Sequence, residues 1–105
     1  MKTLEEIKSQ LRAGKFEFTR HAFNRAIQRN ISEAEIREAG LTMELIEDYL
    51  DDKFSPSCLL LGFTLANRAL HLQVSRLESD DVKIVTIYEP DLNRWIDYRR
   101  RKPNV

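Results

Sequence analysis

Leu70-His71-Leu72-Gln73-Val74-Ser75 and, after a polar loop, Val82-Lys83-Ile84-Val85-Thr86-Ile87-Tyr88 decide the fold class. The first run alternates apolar and polar residues, the period of a strand with one face in a core and the other towards water. Leucine and valine point inward, so His71, Gln73 and Ser75 point the other way. The second run is dense in β-branched residues, which fit a pleated sheet. Val82, Ile84, Thr86 and Tyr88 share one of its sides, and Lys83, Val85 and Ile87 the other. If the Thr86/Tyr88 side is the open one, Tyr88 neighbours His71 or Gln73. Upstream, Leu65-Ala66-Asn67-Arg68 reads as a turn with Asn67 able to take φ > 0. Ser57 to Thr64 is apolar with no helical gap. Met43 to Tyr49 suits a strand, although its pattern also permits a helix. The short connections predict an antiparallel meander of about four strands. Pro90 ends the last strand, and Asp91 to Tyr98 is expected to form a short helical turn that buries Trp95.

The N-terminal part changes period. Thr3 with Glu6 makes a capping box for a helix from Leu4 to Ala13, closed by Gly14. Phe16-Glu17-Phe18 alternates as a short strand. Thr19 caps a second helix, Asn30 closes it, and Ser32 with Glu35 opens a third that ends before Gly40. The predicted class is α+β, with helices packed on one face of the sheet and the other face at least partly open. The 105 residues form one domain, with its core at about 16–100, a helix within 1–14 and a basic tail at 101–105.

Hydrophobic residues make up 42% of the chain and charged residues 32%, an ordinary globular mix. The one cysteine, Cys58, lies in an apolar run and excludes an internal disulfide and a multi-cysteine zinc site. The start MKTLEEIKSQ does not read as a signal peptide, and no apolar run approaches the roughly 20 residues of a membrane helix. These features predict a cytoplasmic protein with no membrane association. Three glycines leave little scope for a phosphate-cradling or dinucleotide-binding loop, no nucleophile elbow is present, and no cofactor or metal is called for.

Net charge is zero, but the charges are segregated. Lys8 to Arg29 is basic apart from Glu17, Glu33 to Asp52 is acidic apart from Arg37, and the C-terminus is basic again. Such a chain can bind a polyanion on one side, bind a charged protein, or bind itself. In Arg20 to Arg29, Ala22, Phe23, Ala26 and Ile27 form one helical stripe, with His21, Arg25 and Arg29 beside it. That second stripe can hold phosphate and carries a group that moves a proton near neutral pH. A basic helix face is also what an ordinary solvated helix presents. His71 has its own bland alternative, an exposed strand residue, and His21 another, a helix-start residue bonded to backbone.

Cleavage of RNA by its own 2′-hydroxyl needs a base, an acid and cations for the phosphorane. His71, His21 and Tyr88 are the candidates for proton transfer and orientation, and Arg25, Arg29 and Arg68 for phosphate or RNA binding.

Several segments together resemble a bacterial family of unknown function, numbered 4258 among such domains. They are His21-Ala22 with Arg25 and Arg29, Asn30 to Ile36, Ile46 to Tyr49, Ser57 to Gly62, Arg68 to Val74 and Ile84 to Asp91. Leu50 stands where that pattern more usually has proline. The family looks like the RelE-type toxin fold, including the MqsR-like ribonucleases. The resemblance implies a toxin of a toxin–antitoxin pair, an antitoxin partner with a zinc-finger domain and, by analogy of fold, cleavage of mRNA without a metal. The alternatives are a non-catalytic protein-binding module on the same fold, and a structural or oligomerising protein.

Overall fold

Thr3, Thr19 and Ser32 start the three helices. In the computed structural model, which describes residues 1–53 and 55–103, α1 (Leu4–Arg12) opens on the Thr3/Glu6 capping box and is followed by Gly14 at φ 76°. Helix α2 (Arg20–Gln28) opens on Thr19, whose hydroxyl accepts the Ala22 N–H and donates to the Val85 carbonyl, both at 3.1 Å. Asn30 closes α2 in the left-handed region at φ 55°. Helix α3 (Glu33–Ala39) opens on the Ser32/Glu35 capping box.

Five strands follow the pattern of the sequence: β1 (Phe16–Phe18), β2 (Glu44–Tyr49), β3 (Ser57–Phe63), β4 (Ala69–Ser75) and β5 (Val82–Tyr88). They form one sheet in the order β1-β5-β4-β3-β2. Strands β2 to β5 are the predicted antiparallel meander. The sheet as a whole is mixed and has five strands, because β1 pairs parallel to β5. Two helices and the meander separate these two strands in the chain, so the parallel pair has the long crossover it needs. Asn67 takes φ 64° in the β3–β4 turn.

One sheet face carries Leu60, Leu72, Val74, Ile84 and Ile87, packed against Ile7, Leu11, Ala22, Ala26 and Ile36 of the helices. Each such buried aliphatic side chain contributes roughly 1.5–3 kcal/mol. The predicted apolar stripe of α2 is only half inside. Ala22 and Ala26 are buried, but Phe23 is 51% and Ile27 62% exposed. The helix lies on the sheet by its two alanines, and Phe23 reaches only the edge of Phe18, ring centroids 6.1 Å apart. Helix α3 comes closer still: a Cβ on Gly62 would lie 2.5 Å from the Ala39 carbonyl oxygen.

The opposite sheet face departs from expectation. Residues 91–98 do not simply make a helical turn. Asp91 to Arg94 turns once, then β6 (Trp95–Ile96) and β7 (Arg100–Arg101) form a small hairpin. Trp95 is buried as predicted. The hairpin covers the end of the face at His71, which is buried rather than half-exposed on its strand. Arg101, expected in a free tail, pairs across from Trp95.

Candidate functional site

His71, Tyr88 and Leu61 stand opposite one another on β4, β5 and β3, so their side chains share the face away from the helices. The His71 ring lies 5.2 Å from the Tyr88 ring and edge-on to Trp95 at 4.5 Å. Both ring nitrogens are engaged. Nε2 is 2.6 Å from the Tyr98 carbonyl oxygen, which can only accept, so Nε2 carries the proton. Burial pushes the His71 pKa below its ordinary value, against the opposing pull of the Tyr98 carbonyl and Glu47. In the neutral ring Nδ1 is therefore a lone pair, and the Tyr88 hydroxyl donates to it across 3.2 Å. That hydrogen bond leaves the Tyr88 oxygen lone pairs free to accept. Burial raises the Tyr88 pKa.

The hairpin over His71 is fastened to β2. Arg101 donates to both carboxylate oxygens of Glu47, with Nε 3.0 Å from Oε2, and lies 4.7 Å over the Trp95 ring. Arg99 pairs with Glu44. Burial would raise the Glu47 carboxyl, but hydrogen bonds from Arg101 and Tyr49 outweigh it and hold the pKa below the ordinary value. The turn that offers the Tyr98 carbonyl has two successive non-glycine residues at positive φ, Asp97 at 54° and Tyr98 at 64°. Left-handed backbone costs each of them roughly 1–2 kcal/mol, offset by the His71 hydrogen bond and the Tyr98–Phe63 ring contact at 5.8 Å.

A shallow concavity of about 210 Å³ lies at the sheet margin, lined by His21, Arg25 and Arg29 of α2 and by Thr86, Ile87 and Tyr88 of β5. It exists because β1 stops early. Phe18 is opposite Ile84, so β5 beyond Ile84 has no strand on that side and faces the flank of α2 instead. A second concavity, about 400 Å³, continues from Arg29 and Tyr88 to Arg94, Arg101, Glu89 and Asp91.

Ion pairing separates the cations into two groups. Arg68 binds Glu35 and Glu89, Arg76 binds Asp48, Arg99 binds Glu44 and Arg101 binds Glu47. Much of the acidic 33–52 segment is thus neutralised internally. Among the described residues, His21, Arg25, Arg29 and Arg94 have no side-chain hydrogen bond or ion pair, nor have Arg12, Lys15, Arg20, Arg37, Arg100 and Lys102. The first four line the two concavities.

A family model described as a domain of unknown function, DUF4258, matches residues 18–89. The chain belongs to the DUF4258 family. Neither a curated protein nor a solved structure matches the chain. The DUF4258 span runs from the end of β1 to just past β5. It holds His21, Arg25, Arg29, Arg68, His71 and Tyr88, whereas Arg94, Trp95, Tyr98 and Arg101 lie beyond it.

The structure brings His21, Arg25, Arg29 and Tyr88 around one concavity. It does not bring the two histidines together. Helix α2 packs on one sheet face and His71 sits under the hairpin on the other, with Tyr88 between the two settings. Arg68 is committed elsewhere. Besides its two carboxylates, its guanidinium donates to the Arg29 and Asn30 carbonyls at 2.7 and 3.0 Å, tying the α2–α3 connection to the sheet. The Glu89 hydrogen bond, outweighing the cost of burial, raises its pKa further. Cys58 is buried, which pushes its thiol up to about 11, in keeping with a core residue. Among the described residues no three His, Cys, Asp or Glu side chains are grouped to hold a metal ion, and no helix is long and apolar enough to cross a membrane. Sequence reading missed Arg94, the Tyr98 carbonyl and the Arg101–Glu47 clamp. The basic run at the C-terminus was visible, but its pairing with β2 is a tertiary contact with no local signature.

Proposed function

We propose that this DUF4258 protein is a toxin-type, metal-independent endoribonuclease that cleaves mRNA in the concavity between α2 and β5. The observation that carries the reading is that His21, Arg25 and Arg29, without side-chain partners, line one concavity with Tyr88, whose hydroxyl donates to His71 and so keeps its oxygen able to accept. Arg25 and Arg29 hold the phosphate and the charge that grows on the phosphorane. The 2′-oxygen attacks phosphorus. Its proton passes to the Tyr88 oxygen as Tyr88 gives its own proton to His71 Nδ1. The bond from phosphorus to the 5′-oxygen breaks, and His21 supplies the leaving oxygen with a proton. The products are a 2′,3′-cyclic phosphate and a 5′-hydroxyl. His71 acts through Tyr88 and is a positioning residue.

Helices on an antiparallel meander are also the arrangement of RelE-type toxins, and this kinship by analogy supports the toxin role and a zinc-finger antitoxin as partner. The cytoplasm is where such a protein meets mRNA. Induction in bacteria tests the reading. Wild type is expected to arrest growth and fragment mRNA, and folded Tyr88→Phe to do neither. A folded wild type that leaves growth and mRNA untouched overturns the reading. It would favour the second one, a protein-binding module, which rests on exposed Phe23 and Ile27 on the same helix as the free arginines.

A further inference from the structure

We infer that the two adjoining concavities form one track for two consecutive phosphates of an RNA strand, with Arg94 as the anchor for the second. This rests on the ribonuclease reading and adds to it a substrate length and a residue outside the family span. The two depressions share Arg29 and Tyr88, so they adjoin, and a strand lying in the first reaches the second past these two residues.

The charges of the second concavity support an anion. Arg101 is held by Glu47 at 3.0 Å, and Glu89 is held by Arg68 at 2.6 Å. The Asp91 carboxylate accepts the Asn93 N–H at 2.8 Å. Arg29 and Arg94 are uncommitted among the described residues, against the single carboxylate of Asp91. Arg94 is carried by the turn Asp91–Trp95, closed by hydrogen bonds from the Arg94 and Trp95 N–H groups to the Asp91 carbonyl at 2.8 and 3.0 Å. The next residue, Trp95, is buried, so the backbone under Arg94 is anchored while its side chain is exposed. An arginine on such a turn is suited to a phosphate, because its planar fork meets two oxygens at once.

The test measures binding of an uncleavable 2′-O-methyl oligonucleotide, and of uridine 3′-monophosphate as a single-phosphate probe, over a range of salt. Arg94→Ala is expected to weaken the oligonucleotide roughly tenfold and to lower its salt slope by about 0.7. The same variant should bind the mononucleotide as wild type does, whereas Arg25→Ala should weaken both ligands. If Arg25→Ala weakens the oligonucleotide and Arg94→Ala leaves its affinity and slope unchanged, the track is overturned and the ribonuclease reading stands. If wild type does not bind the oligonucleotide, both fail together. Arg94 is on the surface, so its loss should leave the fold intact.

Discussion

Trp95→Ala removes the indole that seals His71 against solvent, and its consequences can be worked from the structure. Trp95 is 4% exposed and stands edge-on to His71. A buried tryptophan covers roughly 150–250 Å², worth about 4–6 kcal/mol at 25 cal/mol per Å². Truncations of this kind cost about 3–5 kcal/mol in practice. The edge-on ring pair lies within that figure, and the stacked Arg101, largely exposed, adds at most about 1 kcal/mol. A loss near 4 kcal/mol is a large part of the roughly 5–15 kcal/mol available to a domain. It corresponds to a melting temperature lower by roughly 15–30 °C for a chain of this size. The same change admits water to His71, so its depressed pKa should return towards the ordinary value. Urea unfolding gives the stability, and NMR titration gives the pKa. The chain has two histidines, so two imidazole signals are expected, and His21→Ala assigns them. A stability loss below about 1 kcal/mol with an unmoved His71 titration would refute the hairpin as the seal of this face.

Three further outcomes follow from the same contacts. Acid should loosen the hairpin: buried His71 is held neutral, so stability falls as the pH drops from near 6.5 towards its lower folded pKa, and the Glu47 contribution, complete above about 4.5, is lost as the pH falls through its own lowered value. Urea midpoints against pH check this, and His71→Gln should remove the upper part of the slope. Gly62→Ala should cost about 1–3 kcal/mol, read by urea unfolding, because the new Cβ meets the backbone of Ala39 and neither element can yield cheaply. Arg68→Ala should cost about 1–2 kcal/mol, discounted for partial exposure, by freeing Glu35, Glu89 and two carbonyls. Arg68→Lys should restore only part of that stability, since one ammonium cannot satisfy all of these acceptors.

Local chemistry made most of the fold legible. Thr3/Glu6 and Ser32/Glu35 mark helix starts by side-chain geometry alone, Asn30 and Asn67 tolerate left-handed backbone, and the alternation from Leu70 to Ser75 set the two faces of β4. Tyr88 does lie beside His71, but the even alternation read for β5 fails: Ile84 and Ile87 share the core face, because an irregularity against β4 between Gln73 and Val74 shifts the register. Two of the misses, at His71 and Arg68, share one cause, a distant segment brought against a local pattern. His71 reads as half-exposed until Trp95 and Tyr98 are laid over it. Phe23 and Ile27 read as core until the alanines beside them are seen to make the contact. Arg68 reads as a phosphate ligand until Glu35 and Glu89 converge on it. Phe16-Glu17-Phe18 is visibly a strand, yet its three residues carry nothing that distinguishes a parallel partner from an antiparallel one.

The most direct measurement is cleavage of purified RNA in the presence of a chelator, with the product ends identified. The account predicts that wild type leaves 2′,3′-cyclic phosphate and 5′-hydroxyl ends, and that folded Tyr88→Phe and His21→Ala each slow cleavage by about 100-fold or more. Wild-type protein that leaves RNA intact, or Tyr88→Phe that cuts as fast as wild type, would contradict it.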